Sequence, residues 1–316
     1  MKNKRCLYCY KELKDNDADF HKSCSKKFFG SYIAPQLNYS LDQMLQLGKQ
    51  IIKEQAALTG VQPKLSLGFS KQHGDIKSKK LTIMGVWGTF ILKPPTKYYP
   101  QLPELEDLTM HLAGITGIQT VPHTLIRLKS GELAYLTKRI DRKGKRKFSM
   151  EDMCQLTGKL TEAKYRGSYE QIGKAIIRYS VFPGLDIVNF FEILIFSFLT
   201  GNNDMHLKNF SLFKDPKSGY KLSPAYDLVA SSLLLPEDKE ELALTLNARK
   251  RNIKKRDFIA FAEHFNIGSK TVNNIFYKFE QKIPQWKKFI EDSFITNDLK
   301  QKYRDLIDER AEKLLK

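Results

Sequence analysis

GNNDMHLKNFSLF, residues 201–213, follows FFEILIFSFLT, an apolar run in which Glu192 is the one charge. A run that is apolar on every side is read as a buried helix. The chain leaves it through a glycine and two asparagines, then sets Asp204, His206, Lys208 and Asn209 within six residues. Polar groups crowded at the end of a buried element imply a site held on a rigid floor.

Working outward, the stretch runs into FSLFKDPKSGYKLS, two short strands split by a Pro- and Gly-containing turn, and then PAYD, which places Asp227 after the hairpin. Upstream, PKLSLGFS, KLTIMG and GTFILKPP are short alternating or apolar runs broken by Gly and Pro, which reads as strands. ELEDLTMHLAGITGI predicts a helix ending at glycines. TLIRL, a turn at KSGE, and LAYLTKRI predict a hairpin. Residues 38–58 read as a helix with Ser40 as N-cap and Leu41, Met44, Leu45, Ile51 and Ile52 near one face. From about Met150 onward the pattern is mostly helical, apart from the hairpin. A strand-rich half thus precedes a helix-rich half, joined near Thr137 to Arg142. The fold class expected is α+β with two lobes, and a cleft between lobes is a common place for a ligand. The expected division is a small Cys/His unit at 1–30, a strand-rich N-lobe at 31–141 and a helical C-lobe at 142–316.

Composition narrows the class. The chain has 316 residues, 41% of them apolar, with 20 Phe and 14 Tyr, enough to fill a core and too many for a disordered chain. The net charge of +18 admits nucleic acid, an acidic protein or an anionic cofactor as partner, or a lysine-rich solvated surface. Its densest basic run is ARKRNIKKR, residues 248–256. The longest apolar run is interrupted by Asn189 and Glu192 and falls short of the roughly 18 residues a membrane helix needs. The start, MKNKRCLYCY, lacks the apolar core of a secretion signal. With only four Cys, a disulfide framework is not expected, and a reducing cytoplasm is the default location.

The spacing of Asp204 and Asn209, D-x-x-x-x-N, is that of protein-kinase catalytic loops. The Asp orients an attacking hydroxyl and accepts its proton, and the Asn holds a Mg²⁺ bound to the phosphates. Asp227 stands where a second metal-binding carboxylate is needed, because Mg²⁺ takes a few hard oxygens plus phosphate. Upstream, Lys93 in FILKPP can pair with phosphates, and Glu106 on the following helix can position it. Gly60, with Lys64 behind it, can bring backbone N–H groups to the phosphates. Each signal alone is weak: Lys93 could be a surface charge, Asp227 a turn residue, His206 a structural histidine. Their order along the chain is what a phosphotransferase requires.

LTGVQPKLSL, FILKPP, LTKRIDR, EDMCQLTG, GNNDMHLKNFSLF and PAYDL together resemble the HipA family of toxin serine/threonine kinases, and among them the short HipT toxins of the tripartite HipBST type. The resemblance implies a two-lobed protein-kinase-like fold and a bacterial kinase of a toxin–antitoxin pair. Such a kinase uses ATP and Mg²⁺ to phosphorylate a serine of an aminoacyl-tRNA synthetase, tryptophanyl by analogy with HipT, and so inhibits translation. Carried over, Asp204 is the catalytic base, Asn209 and Asp227 hold metal, and Lys93 contacts phosphate. Thr59, Gly60, Val61, Gln62 and Lys64 belong to the phosphate loop. Lys138, Arg139 and Ile140 form the hinge at the adenine, with Asp141 nearby, and His206, Lys208 and Tyr226 sit beside the nucleotide. The implied partners are a HipB-like DNA-binding antitoxin and a HipS-like small protein. Two departures stand out. The phosphate loop is reached by residue 60, so the N-terminal subdomain of full-length members is expected to be missing. The family's regulatory serine falls on Ala57, which leaves Thr59 as the nearest hydroxyl and puts self-inactivation by phosphorylation in doubt.

Cys6, Cys9, His21 and Cys24 form C-x₂-C-x₁₁-H-x₂-C. Three thiolates and an imidazole suit a structural, tetrahedral Zn²⁺, and the same cluster could equally pack as a reduced mini-core. Cys154 is expected in the core. Two other functions compete with the protein kinase. One is a small-molecule phosphotransferase of the aminoglycoside type, although there the His usually precedes the Asp. The other is a kinase-like, basic nucleic-acid-binding protein without catalytic activity. No helix-turn-helix pattern supports direct nucleic-acid binding, and no membrane association is expected. Export into another cell is left open by the sequence.

Overall fold

The computed structural model describes residues 4–14, 18–54, 63–70, 80–84, 88–143 and 146–315, with residues 48–54, 70 and 143 described by backbone alone. The chain divides into two compact units. The first is Met1–Asp107, Val121–Arg146 and Asp292–Phe294; the second is Leu108–Thr120, Lys147–Glu291 and Ile295–Lys316.

The first unit is built on an antiparallel sheet of five strands. These are β1 (Leu65–Ser70), β2 (Lys80–Ile83), β3 (Phe90–Lys93), β4 (His123–Arg127) and β5 (Leu133–Lys138), in the order β2-β1-β3-β5-β4. Strand β3 is central, so FILK is flanked by two partners, and Lys93 stands opposite Tyr135 of β5. The alternation read from the sequence puts Leu65, Leu67, Phe90, Leu92 and Leu136 on the buried side. Helices α1 (Lys22–Phe29) and α2 (Leu41–Glu54) precede the sheet, and Phe28, Phe29 and Met44 join its core. So do Cys6, Leu7 and Phe20, which places the N-terminal Cys/His segment in the same core rather than in a separate one. Helix α3 (Leu102–Thr116) begins in this unit, and its C-terminal half is counted with the second. Two-residue strands β6 (Arg142–Lys143) and β7 (Arg146–Lys147) mark the junction.

The second unit is mostly helical. It contains β8 (Met150–Asp152), α4 (Met153–Leu156), α5 (Tyr169–Tyr179), α6 (Pro183–Leu199), β9 (Ser211–Asp215), β10 (Gly219–Leu222), α7 (Lys255–His264), α8 (Ser269–Glu291) and α9 (Asn297–Leu315). Helix α6 is its axis, and from Ile187 to Leu199 its apolar side chains are buried apart from the half-buried Val188. Phe191 stacks on Phe261 of α7, and Phe196 meets Trp286 of α8 edge-on at 5.4 Å. The lone charge in the apolar run has a specific partner: Glu192 pairs with Lys278 of α8 at 2.6 Å. At the other end, buried Asp186 accepts hydrogen bonds from the Leu222 N–H at 2.7 Å and from Ser180 Oγ at 2.5 Å, tying α6 to the β9–β10 hairpin. Among the described helices, none is long and apolar enough to cross a membrane.

One detail departs from the sequence reading. Residues 150–152 are a strand, β8, which adds to the hairpin as its third member in the order β10-β9-β8. Three residues are too few to show a period of two, so only pairing with β9 defines the strand. The basic run 248–256 lies ahead of α7 except for its last two residues. Asn247, Ala248 and Asn252 have positive φ, and α7 begins only at Lys255.

Helix α6 stops at Thr200, and Gly201 turns the chain with φ of 65°. A Cβ there would fall on Ser232 Oγ and within 2.5 Å of Leu306 Cδ2. Two independent requirements, a left-handed backbone and no side chain, therefore coincide at the first residue of the loop. The loop then folds into its own small core, with Met205, His206 and Leu207 buried. His206 meets the Tyr165 ring edge-on at 4.9 Å, and its Nδ1 has no partner among the described residues. Burial pushes its imidazole down to about 4.

Gly201→Ala is expected to cost about 2–4 kcal/mol, from the left-handed backbone plus overpacking, read as a lower urea midpoint at unchanged slope. An unchanged midpoint would contradict the geometry of the turn. For His206, the folded state favours the neutral ring, so the unfolded chain takes up the proton first as pH falls. Stability should therefore be full above about pH 6.5 and fall by about 3 kcal/mol on the way down to pH 4. His206→Gln should flatten that part of the stability–pH curve; identical curves for the two proteins would remove His206 as the cause.

Candidate active site

In the first unit, strand β3 ends by delivering Lys93, and the helix that follows delivers Glu106. Both are almost fully buried, and Nζ lies 2.5 Å from Oε1. The ammonium also sits 5.4 Å from the centre of the Tyr135 ring. Taking both charges out of water is costly, and removing one would strand the other at a penalty of about 3–5 kcal/mol. The lysine is thereby a fixed cation rather than a mobile surface one. The residue after Glu106 is also held: Asp107 accepts from Tyr10 Oη at 2.9 Å and pairs with His123 Nδ1 at 2.7 Å.

Lys64 is exposed just ahead of β1. Thr59, Gly60, Val61 and Gln62, and Ala57 with them, lie outside the described residues. At the expected hinge, the N–H groups of Lys138 and Arg139 donate to the carbonyls of Pro122 and Thr89. Lys138 Nζ lies 4.9 Å from the Phe28 ring centre, and burial pushes its pKa down. Arg139 grips Asp141 with two bonds, at 2.9 and 2.7 Å, and Arg142 approaches the same carboxylate at 3.4 Å. Ile140 between them is half-buried. Also in this unit, the donor atoms of Cys6, Cys9, His21 and Cys24 all lie within 4.8 Å of one another.

In the second unit the loop after α6 is closed on itself. Asn209 Nδ2 donates to the Asp204 carbonyl at 3.0 Å, and a single 3₁₀ turn, Leu207–Asn209, makes that reach possible. With its amide nitrogen so engaged, Asn209 offers Oδ1 to a cation. The Asp204 carboxylate accepts from the Tyr165 hydroxyl at 2.5 Å. Burial and then the charge of Asp204 push that phenol pKa up, so it stays a donor. Asn203 is held on both faces, donating to Asp238 at 3.0 Å and accepting from Ser231 at 2.5 Å, and Tyr169 Oη donates to the Met205 carbonyl at 3.1 Å.

The remaining sequence candidates buttress this loop. Lys208 pairs with Asp152 at 2.6 Å, while Asp152 also caps α4 with Gln155. The Tyr226 hydroxyl donates to the Lys208 carbonyl at 3.0 Å and contacts Ser211 Oγ at 2.5 Å. The next residue, Asp227, has φ of 56°. Asp is one of the few residues other than Gly that tolerates the left-handed region, and unusual backbone of this kind concentrates at functional positions. An amide oxygen and a carboxylate form a hard donor set of the kind Mg²⁺ takes. Sequence reasoning missed Tyr165, 39 residues before Asp204, and Asp152, 56 before Lys208. No spacing rule links such distant positions.

The profile of the HipA-like C-terminal domain matches residues 56–287. A Haemophilus influenzae protein named "Putative kinase" is 28% identical over 339 aligned positions, covering 96% of this chain and 94% of that protein. The serine/threonine-protein kinase toxin HipA of Shewanella oneidensis is 26% identical over 216 positions, 62% of this chain but only 47% of that toxin. Among solved structures, Shewanella HipA, in its complex with HipB and operator DNA, superposes with a TM-score of 0.67 at 21% identity, over 82% of this chain and 65% of that one. The Helicobacter pylori proinflammatory kinase CtkA superposes with a TM-score of 0.56 at 16% identity, over 79% of this chain and 93% of that one. The chain belongs to the family of the HipA-like C-terminal domain, and its α+β fold is the one seen in the kinases HipA and CtkA.

Proposed function

We propose that this chain is a toxin serine/threonine protein kinase, transferring the γ-phosphate of ATP to a serine of a protein substrate. The observation that carries the reading is the closed loop of Asp204 and Asn209, followed by Asp227 at a left-handed position, in a chain of this family. Asp204 is the base: with one carboxylate oxygen fixed by Tyr165, the other is aimed to accept the proton of the attacking serine hydroxyl. Lys93, held by Glu106, supplies a fixed positive charge to the phosphates. Asn209 Oδ1 and the Asp227 carboxylate would hold Mg²⁺, which neutralises phosphate charge when bound. Catalysis is then mainly positioning and preorganised electrostatics. Residues 59–64 serve as the phosphate loop, with Thr59 the hydroxyl nearest to Ala57, and 138–141 as the hinge.

The substrate class is an aminoacyl-tRNA synthetase, tryptophanyl by analogy with HipT toxins, and the outcome is inhibited translation in a bacterial cytoplasm. HipA of Shewanella is solved with HipB on its operator, which supports a HipB-like antitoxin as partner here. A HipS-like small protein is the second partner proposed.

Asp204→Asn should lower phosphate transfer by about 10²–10⁴-fold while Mg·ATP affinity is kept. Wild-type activity in that variant would remove Asp204 as the base. Asp227→Asn suits the left-handed backbone better than Ala would, and it should abolish Mg²⁺-dependent nucleotide binding in calorimetry with the melting curve preserved. Unaltered Mg·ATP affinity would end its metal role. Radiolabelled ATP added to a bacterial lysate with the chain should label one synthetase-sized band, identified by mass spectrometry. Labelling only of small molecules would favour the phosphotransferase alternative.

A further inference from the structure

We propose that Cys6, Cys9, His21 and Cys24 form a structural zinc site that staples the N-terminal segment to the sheet of the first unit. The site lies ahead of residue 56, where the family match begins, so family membership does not imply it.

The donor atoms converge. All four lie within 4.8 Å of one another, His21 Nδ1 being 3.4 Å from Cys9 Sγ and 3.8 Å from Cys24 Sγ. Around tetrahedral zinc, with Zn–S near 2.3 Å and Zn–N near 2.0 Å, such donors stand roughly 3.5–3.8 Å apart. The imidazole is also oriented for ligation. Its Nε2 is 3.0 Å from the Glu12 carbonyl, which can only accept, so Nε2 carries the proton and the Nδ1 lone pair faces the sulfurs. Cys6 Sγ receives the His21 backbone N–H at 3.4 Å, the kind of bond that stabilises a thiolate. No disulfide consumes the thiols. A reduced mini-core accounts less well for these facts. Cys9, His21 and Cys24 are only half-buried, and an imidazole with both nitrogens directed at polar atoms is a poor filler of apolar space. Three thiolates and one imidazole complete a tetrahedron, which makes the site structural rather than catalytic.

What the staple holds can be followed through hydrogen bonds. Leu7, between two of the ligands, accepts at its carbonyl from the Leu125 N–H at 3.3 Å and from Thr124 Oγ1 at 3.0 Å, both on β4. Its own N–H donates to the Asp19 carbonyl, just before His21. Tyr10, one residue after Cys9 and with φ of 63°, sends its hydroxyl to Asp107, the neighbour of Glu106 on α3. Zinc would thus fix the turn that fixes Tyr10, and through Tyr10 the start of the helix that carries the partner of Lys93.

The test is elemental analysis of the chain purified without added zinc. About one zinc per chain is expected; Cys9→Ser and Cys24→Ser should each lose most of it, and Cys154→Ser, buried in the second unit, should keep it. Because the serine variants could misfold, two measurements use the wild-type chain. Cobalt loaded in place of zinc should give the visible bands of a tetrahedral thiolate site. Chelation should expose Cys6, Cys9 and Cys24 to a thiol reagent together and lower the melting temperature, with recovery on adding Zn²⁺ but not Mg²⁺. A folded wild-type chain with zinc near zero, no cobalt spectrum and thiols that react without chelator would overturn the proposal. These readouts involve no phosphate transfer, so they stand or fall independently of the kinase reading.

Discussion

The bond from Asn209 Nδ2 to the Asp204 carbonyl joins the two ends of the D-x-x-x-x-N span. It sets which atom of the amide is consumed and which is offered, and it fixes the separation of the amide from the carboxylate. Everything around it preserves that closure. Helix α6 provides a floor that cannot shift, because its apolar side chains are enclosed by α7 and α8. Asn203, Tyr169 and Tyr226 each spend their polar atoms on the loop or its flanks. A surface loop of the same sequence would sample many geometries; here the entropy has been removed by packing before any ligand arrives.

A second regularity is that several charges inside the protein are answered by a neighbour in direct contact. Glu192 is answered by Lys278, Asp186 by the Leu222 N–H and the Ser180 hydroxyl, Asp107 by Tyr10 and His123, Lys93 by Glu106. Most of these contacts join different elements, so the polar contacts specify which segments meet, while the apolar core supplies the bulk of the driving force. The surplus of 53 Lys and Arg over 35 Asp and Glu is a separate matter, and it does not change the interior pairing.

Much of this was legible in the sequence, for identifiable reasons. FILKPP shows alternation and a proline stop, so a strand ending in Lys93 follows directly, and ELEDLTMHLAGITGI shows the helical period that brings Glu106 after it. The hairpin before Asp227 announces itself by KDPKSG. Strand β8 was not legible because three residues carry no period, and the basic run at 248–256 gave no sign that Ala248 and Asn252 turn left-handed. The contacts of Tyr165 with Asp204 and of Tyr10 with Asp107 are set by tertiary packing over 39 and 97 residues, beyond any local pattern. Nor could the left-handed backbone at Asp227 be read, since Asp occupies ordinary turns as readily.

The buried contact of Lys93 with Glu106 also constrains how this protein can change over generations. A substitution at either position takes from the other, enclosed charge its partner at 2.5 Å, so each single step lowers stability before a second can restore it. The two positions are therefore expected to drift as one unit or not at all. A lineage that no longer needed the cation would more readily lose Asp204, whose carboxylate answers the Tyr165 hydroxyl rather than an enclosed opposite charge. Decay of this protein should accordingly begin in the helical half while the lysine and its partner persist.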